Sequence, residues 1–316
     1  MVLLGVVTTL LAAVVVLLRW LTRYLRQRGE RRLDPDLRDE ILGLRATSRT
    51  QRVGECLVVA IGALSLGCVL WGFIEPRFPQ VTEHHVVSNR LHPGTHIRVV
   101  QLSDLHSEAT GHVESKVIQR VAALKPDLIV FTGDAINEEA GLPIFRATMT
   151  ALARIAPCYA VRGNWETWWF PNLDLYGGTG VVPLDGRAKS IMVRGQELWL
   201  VGVGVDRESE FPHAMSQVKR DAFTVLLHHF PALAPRAAKL GIDLMLAGDT
   251  HGGQVKLPLF GELVRITRRN FWRSNGMHRE GSMWLYVNRG IGGEGGIPLF
   301  RFACRPEIAL FVLARS

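Results

Sequence analysis

The feature that most constrains this chain is a series of short apolar segments, most of which are followed by acidic, amide or imidazole side chains. These segments are four to seven residues long and indicate buried strands; they span 97–103, 127–132, 158–161, 198–203, 223–227 and 243–247. Between the first two, Val117, Val121 and Leu124 recur at helical spacing. Strands that alternate with helices predict a layered α/β domain.

Five of the segments are followed directly by potential ligands. These are Asp104 and His106, Asp134, Asn164 and Glu166, His228 and His229, and finally Asp249 and His251. In open α/β sheets, ligand sites lie beyond the carboxyl ends of the strands, so we expect these side chains at one locus. Oxygen and imidazole donors without thiolates suit Mn, Fe, Zn or Mg.

Each of these short motifs has a simpler interpretation when it stands alone. An aspartate followed two residues later by histidine, as in Asp104 and His106, is more often a turn or a helix cap than a metal site. Five such motifs, each after a buried strand, are hard to explain as caps. The series as a whole therefore favours a metal centre.

The ordered motifs D-x-H, G-D, G-N-x-E, H-x-P and G-x-T-H-G-G-Q resemble those of the calcineurin-like metallophosphoesterases. The resemblance is strongest to the membrane-anchored bacterial branch of YkuE- and YaeI-like phosphoesterases. It covers roughly residues 80–316, which we expect to form the catalytic domain. It implies a four-layer αββα sandwich of two mixed sheets between helices, with two divalent metal ions at the sheet edge and a phosphate-ester substrate.

The same resemblance implies roles for individual residues. The ligands of the first metal would be Asp104, His106, Asp134 and His251, and those of the second Asp134 as a bridge, Asn164, His229 and Asp249. Catalysis would rest on Asp134, Asn164, Glu166 and His251. His228, which directly precedes His229, is the second choice at its position.

Two positions depart from the family pattern, because Asp249 and Trp165 stand where the family usually has histidine. Asp249 still supplies an oxygen ligand and favours harder metals. The family histidine at position 165 contacts phosphate and is thought to protonate the leaving group, which an indole cannot do. Either Glu166, His112 or His228 takes over, or the leaving group needs little protonation, as a diphosphate or nucleotide would.

Two segments are candidates for substrate binding. Trp165 opens an aromatic cluster that continues through Phe170, which indicates either a platform for a base, sugar or lipid chain or a packed loop. Arg265 and Arg268 belong to an arginine-rich segment after His251. Such a segment suits phosphate recognition or contact with a membrane surface, and its alternative is a solvated charged loop.

Two uncharged apolar runs precede the catalytic domain. Residues 1–18 and 56–74 carry no charge over 18 and 19 residues, close to the roughly 20 needed to cross the hydrocarbon of a bilayer. We therefore expect a transmembrane hairpin with helices in 1–22 and 53–75 and a basic cytoplasmic loop in 23–52. The alternative for each run is a buried core helix.

The charge distribution predicts the orientation of this hairpin. Ten of the 37 Lys and Arg residues but only five of the 29 Asp and Glu residues lie within 19–52. Positive residues in short loops remain on the cytoplasmic side, so the catalytic domain is expected outside it, in the periplasm of a bacterium with the hairpin in the inner membrane. The rest of the chain is nearly balanced in charge, and no nucleic-acid partner is expected.

These features together predict a membrane-anchored, dinuclear-metal phosphoesterase. Its expected substrates are phosphomonoesters, phosphodiesters or diphosphates, including lipid-linked or nucleotide–lipid molecules. The alternative is a catalytically impaired sensor or binding module of the same fold. Such decay would be expected to leave apolar residues at some ligand positions, whereas all seven predicted ligands keep oxygen or nitrogen donors.

Overall fold

A computed structural model of the chain describes residues 49–111, 113–257, 261–262, 274–293 and 299–315. The first predicted membrane helix, most of the predicted basic loop, and the candidates His112, Arg265 and Arg268 lie outside the described residues. The chain divides into two compact units, Met1–Trp71 and Gly72–Ser316.

Helix α1 (Arg49–Ile74) contains the second apolar run and is 26 residues long. It is the one helix in the described part of the chain that is long and apolar enough to cross a membrane, with a mean hydropathy of 2.4 over Cys56–Arg77. Large apolar side chains along it, such as Leu57, Val59 and Leu64, are exposed. The second predicted membrane helix thus has a counterpart in the structure, whereas the hairpin as a whole includes residues that the structure does not describe.

The rest of the described chain alternates between strands and short helices. The further helices are α2 (Glu114–Leu124), α3 (Leu142–Ile155), α4 (Asn164–Trp169), α5 (Phe211–Ser216) and α6 (Ala234–Lys239). The strands are β1 (Gln80–Val87), β2 (His96–Leu102), β3 (Leu128–Phe131), β4 (Cys158–Ala160), β5 (Val182–Pro183), β6 (Arg187–Val193), β7 (Gln196–Val203), β8 (Phe223–His228), β9 (Leu244–Ala247), β10 (Lys256–Leu257), β11 (Gly261–Glu262), β12 (Gly276–Glu280), β13 (Met283–Val287) and β14 (Glu307–Ala314).

The strands form two six-stranded mixed sheets and a separate pair, β10 and β11. The first sheet has the order β1-β14-β2-β3-β4-β5, in which β2 to β5 are parallel and β14 is antiparallel to β2. The second has the order β12-β13-β9-β8-β7-β6, with antiparallel strands at both edges. Its four central strands are parallel, so the carboxyl ends of β8 and β9 lie at the same edge.

The described residues bury three apolar clusters that define four layers. The first joins one sheet to α2 and α3, for example Val100 and Ile129 to Val117 and Phe145. The second lies between the two sheets, and the third joins the other sheet to α5 and α6. Strands buried on both faces need continuous apolar runs, which explains why the sequence pattern identified them. The α/β class is confirmed.

Candidate metal centre

The predicted ligands after β2, β3, β8 and β9 meet where the carboxyl ends of the two sheets come together. His229 Nε2 lies 3.3 Å from Asp134 Oδ2, so a residue of the second sheet contacts one of the first. His106 Nε2 lies 3.5 Å from the same oxygen, and His251 Nε2 lies 3.5 Å from Asp104 Oδ1. The turns after four strands therefore supply one cluster of donors.

Two overlapping groups of these side chains have the spacing of a metal site. The ligand atoms of Asp104, His106 and His251 all lie within 4.8 Å of one another, as do those of Asp104, Asp134 and His229. All five residues are buried. The structure thus brings together five of the seven predicted ligands in two adjoining positions.

The other two predicted ligands border the second group. Asn164 is the first residue of α4, and the residue as a whole is 7% exposed. Asp249 Oδ1 lies 3.9 Å from His229 Nε2, and the Asp249 N–H donates to Asp104 Oδ1 at 3.1 Å. Asp249 therefore faces the shared cluster while its backbone holds another ligand in place.

The hydrogen bonds of two histidines define which ring nitrogen faces the cluster. His229 Nδ1 lies 2.7 Å from the carbonyl oxygen of Thr132, and His106 Nδ1 lies 2.7 Å from Asn137 Oδ1. The amide of Asn137 donates to Glu108 and to a backbone carbonyl, so its oxygen is the atom that faces His106. Both Nδ1 atoms therefore donate, and a neutral ring then presents the lone pair of Nε2 to the carboxylates.

Four buried ligand atoms in this cluster have no hydrogen-bond partner among the described residues. They are Asp104 Oδ2, His106 Nε2, Asn164 Oδ1 and His229 Nε2. Burying a polar atom without a partner costs roughly 1–3 kcal/mol, and lone pairs that face one another repel. A divalent cation removes both penalties at once. The residues present therefore fit a metal.

The ionisation of the cluster follows from its concentrated negative charge. Burial opposes protonation of His229, but the charges of Asp134, Asp104 and Asp249 outweigh it and raise its pKa well above the usual value. Burial also opposes ionisation of Asp134, yet His229 and His106 lower its pKa. The cluster thus attracts positive charge, and bound cations would supply it instead of protons.

The backbone of the site adopts a conformation that most residues avoid. Asp104, His106, Asp134, Asp249 and His251 have φ angles of 51°, 46°, 58°, 72° and 49°. Such left-handed residues cost about 1–3 kcal/mol each and concentrate at functional sites. Glycine is required next to them, because a Cβ at Gly163 would collide with the Asp134 carboxylate. The turns are therefore built around the ligands.

Glu166 lies behind the ligands rather than among them. Its carboxylate accepts the N–H groups of Gly163 at 2.7 Å and Asp134 at 3.2 Å, and also that of Ala135. Burial, together with the nearby charge of Asp134, raises the pKa of Glu166 to about 7. The side chain therefore ties the turn after β4 to the turn after β3.

Trp165 is half-buried beside the first group of ligands. Its ring meets that of His106 edge-on, with 5.3 Å between centroids, and its backbone N–H donates to Asp134 Oδ1 at 2.9 Å. Its ring also lies 6.4 Å from the ring of Trp169. Trp169 is 65% exposed and Trp168 is 42% exposed. The aromatic cluster thus has one side packed on the site and one side open to solvent.

The structure distinguishes the two adjacent histidines at the end of β8. His229 faces the carboxylates, whereas His228 Nδ1 lies 2.7 Å from the carbonyl oxygen of Val203 and its Nε2 lies 3.5 Å from Glu208. Sequence reasoning missed the residues that orient the ligands, among them Asn137 and Arg301. Neither stands in a motif, and each reaches the site only through the folded loops.

Comparison with known proteins agrees with this geometry. Residues 97–253 match the family model of the calcineurin-like phosphoesterases. The metallophosphoesterase YkuE of Bacillus subtilis is 29% identical, over 80% of this chain and 94% of its own length. The phosphodiesterase YaeI of Escherichia coli is 28% identical, over 79% of this chain and 94% of its own length. The UDP-2,3-diacylglucosamine pyrophosphatase LpxG of Chlamydia trachomatis is 24% identical, over 80% of this chain and 95% of its own length.

Proposed function

Because this chain belongs to the calcineurin-like phosphoesterases and is a metal-dependent phosphohydrolase, we propose that it cleaves phosphodiester or diphosphate bonds in lipid-linked substrates at a membrane. The observation that supports the metal-dependent part most directly is the pair of imidazoles whose Nε2 atoms face Asp134, at 3.3 and 3.5 Å.

We assign two divalent cations to the cluster. Asp104, His106, Asp134 and His251 would hold the first, and Asp134, Asn164, His229 and Asp249 would hold the second. When bound, such cations lower the pKa of a water molecule and neutralise charge on phosphoryl oxygens during in-line attack. The donor set admits Mn, Zn, Fe or Mg.

The side chains around the cations have separate tasks. Asp134 lies between the two positions, and Glu166 fixes its backbone. Trp165 has no group that can transfer a proton, so leaving-group protonation is not its task. The phosphate that leaves when a diphosphate is cleaved is a weaker base than an alkoxide and needs less protonation. This favours such substrates over simple alkyl phosphomonoesters.

The lipid-linked part of the proposal is supported by two features. Trp168 and Trp169 expose apolar surface beside the ligands, and amphipathic rings of this kind suit the boundary between water and lipid. Among the relatives, the name of LpxG specifies a diacylated sugar nucleotide and that of YaeI a phosphodiesterase. We therefore assign apolar contacts with the substrate to this surface, and we keep Arg265 and Arg268 as proposed phosphate contacts.

Substrate screening of the full chain in detergent tests this proposal. With Mn or Zn added, we expect hydrolysis of bis-p-nitrophenyl phosphate and of nucleotide–lipid diphosphates to exceed that of p-nitrophenyl phosphate. Trp169→Ala should raise KM for the lipid substrate and leave that for the soluble diester unchanged, with exposed Met192→Ala as the control. Stoichiometric metal binding without hydrolysis of any ester would instead favour the sensor or binding module, which the loss of the family histidine at Trp165 suggests.

We also propose that residues 1–22 and 53–75 span the membrane, that 23–52 is cytoplasmic and that 80–316 is the extracytoplasmic catalytic domain. The nine arginines within 23–52 support this orientation. A phosphatase reporter, which is active only outside the cytoplasm, should be active when fused after Ser316. An inactive phosphatase fusion paired with a fluorescent cytoplasmic fusion at the same point would contradict the topology.

A further inference from the structure

The segment 300–304 is bound closely to the end of helix α1 and the turn after it. The Glu75 carboxylate, in a residue only 2% exposed, accepts the N–H groups of Ala303 at 2.9 Å and Cys304 at 2.6 Å. The Arg301 N–H donates to the carbonyl of Gly72 at 2.9 Å. The Phe300 ring packs so closely on Gly72 that a Cβ there would collide with it.

The same segment reaches His251 by two routes. Cys304 Sγ donates to the carbonyl oxygens of His251 and Gly252, each at 3.4 Å. Arg301 is fully buried, and its Nη2 lies 3.4 Å from His251 Nδ1. Both the backbone and the ring of this predicted ligand are therefore in contact with residues that the turn after α1 holds.

Arg301 also joins three loops around the ring. Its Nη2 donates to the carbonyl oxygens of Gly292 at 2.7 Å and Arg289 at 2.9 Å, and Nη1 donates to that of Cys304 at 3.4 Å. Both Nη2 hydrogens are thereby used, so Arg301 contacts the His251 ring without donating to Nδ1, and Nε2 can keep the lone pair that a metal needs. A buried guanidinium without a carboxylate at hydrogen-bond distance among the described residues is costly. The fork geometry of arginine matches this set of acceptors, and lysine cannot reproduce it.

The structure assigns Glu75 and Arg301 as positioning residues for the first metal: they fix His251, so the turn that follows the apolar helix governs metal affinity at this position. The inference rests on the ligand role proposed for His251. The other two imidazoles are oriented differently, because His106 and His229 donate Nδ1–H to oxygen atoms of Asn137 and Thr132, both in the segment that follows β3. His251 alone among the three depends on the C-terminal segment and on Glu75.

The test compares metal affinities in the full chain in detergent, in an Asn164→Ala background that weakens the second position. Mn²⁺ binding is followed by electron paramagnetic resonance, and unfolding of the metal-free protein by its Tm. Glu75→Gln and Arg301→Lys should each weaken binding of the first metal by about tenfold, the lower end of the effect of losing an outer-sphere partner of a ligand, because both act through the loops and the packing around His251. Parallel titrations without the Asn164→Ala change should show the second metal nearly unaffected.

Matched controls come from groups that make similar contacts far from the site. Asp127 accepts the N–H of Arg98 at 2.8 Å, and Arg315 donates to the carbonyls of Asn89 and Leu91. Asp127→Asn and Arg315→Lys should leave metal affinity unchanged even if they lower Tm. Equal weakening of both metals, or a lower Tm with unchanged affinity, would overturn the inference.

A milder pair of variants covers the case in which the first two fail to fold. Cys304→Ala removes the thiol that donates to His251 and should weaken the first metal by several-fold, whereas Cys304→Ser retains a donor and should restore affinity. His251→Ala distinguishes failure of the ligand assignment from failure of the positioning role. If this variant still binds the first metal, His251 is not a ligand. If it releases the metal while Glu75→Gln, Arg301→Lys and Cys304→Ala all retain it, His251 is a ligand but the positioning role is wrong.

Discussion

The two proposed metal positions share Asp134 but differ in how deeply they are enclosed. At the first, the side chains of Asp104, His106 and His251 are at most 1% exposed. At the second, the Asp249 side chain is 17% exposed and Asn164 as a whole residue is 7% exposed. These three ligands of the first position are therefore fully buried, whereas the second position is partly open to solvent.

The ligand chemistry differs in the same direction. The first position has two imidazoles and two carboxylates, whereas the second has one imidazole, one amide and two carboxylates. Imidazole suits zinc and iron, and oxygen donors suit manganese and magnesium. We therefore expect the enclosed first position to hold its metal more tightly than the second, although the two are proposed to share one carboxylate.

Removing the shared ligand should have the largest effect. We expect Asp134→Ala to lose both metals and to lower kcat/KM by about 10³-fold, because metal ions supply several kcal/mol of charge stabilisation in the transition state. Elemental analysis and hydrolysis of bis-p-nitrophenyl phosphate measure both effects. The exposed Asp221→Ala serves as the control, and full metal content in Asp134→Ala would show that it does not bridge.

The next largest effect should separate the two positions. His106→Ala is expected to weaken the tighter metal by more than about 100-fold, beyond what loss of an outer-sphere partner does, and Asn164→Ala to weaken the other by about tenfold. Stepwise chelator titration with metal analysis distinguishes them. Equal losses from both variants would remove the distinction between a buried and a partly open position.

Restoring the family histidine at position 165 should have a smaller effect. Trp165→His is expected to raise kcat on alkyl phosphomonoesters by up to about 10²-fold, the lower end of general acid catalysis, and to leave activated aryl phosphates nearly unchanged. Steady-state kinetics on both substrates give the comparison. Trp165→Ala should raise KM for lipid substrates; unchanged kinetics on every substrate would make Trp165 merely structural.

The smallest expected effect is a change of metal preference. Asp249→His replaces an oxygen donor with imidazole and should raise the preference of the second position for zinc over manganese by about tenfold. Competition between the two metals, measured by elemental analysis, reports the ratio. Asp249→Asn, which keeps an oxygen donor, should leave the ratio closer to that of the unaltered protein.

The sequence pattern predicted the parts of the fold that depend on local periodicity. Central strands were identified to within one or two residues, since burial on both faces requires continuous apolar runs. The edge strand β6 was missed because its side chains are largely exposed and mixed in character. Pairing of β14 between β1 and β2 could not be read locally, because it joins residues more than 200 positions apart.

The site shows the same division. The ligands could be predicted because they directly follow strands, and the resemblance to the family assigned them to two metals. The choice of His229 over His228 depends on which face of β8 each side chain occupies at the strand end. The contacts of Asn137 and Arg301 with ligands are set by loop geometry, which carries no periodic signal.

The left-handed turns at the ligands have a consequence for how this site can change over time. Asp, Asn and His are the residues other than glycine that occupy this backbone region most readily, and all three also bind metals. A histidine-to-aspartate exchange, such as the difference between Asp249 and the usual family residue, therefore alters metal chemistry without rebuilding the turn at φ 72°. A valine or isoleucine at the same position would both remove the ligand and strain the backbone. The paths open to mutation at this sheet edge thus run from one ligand type to another, and departures from metal binding carry a penalty in folding as well as in activity.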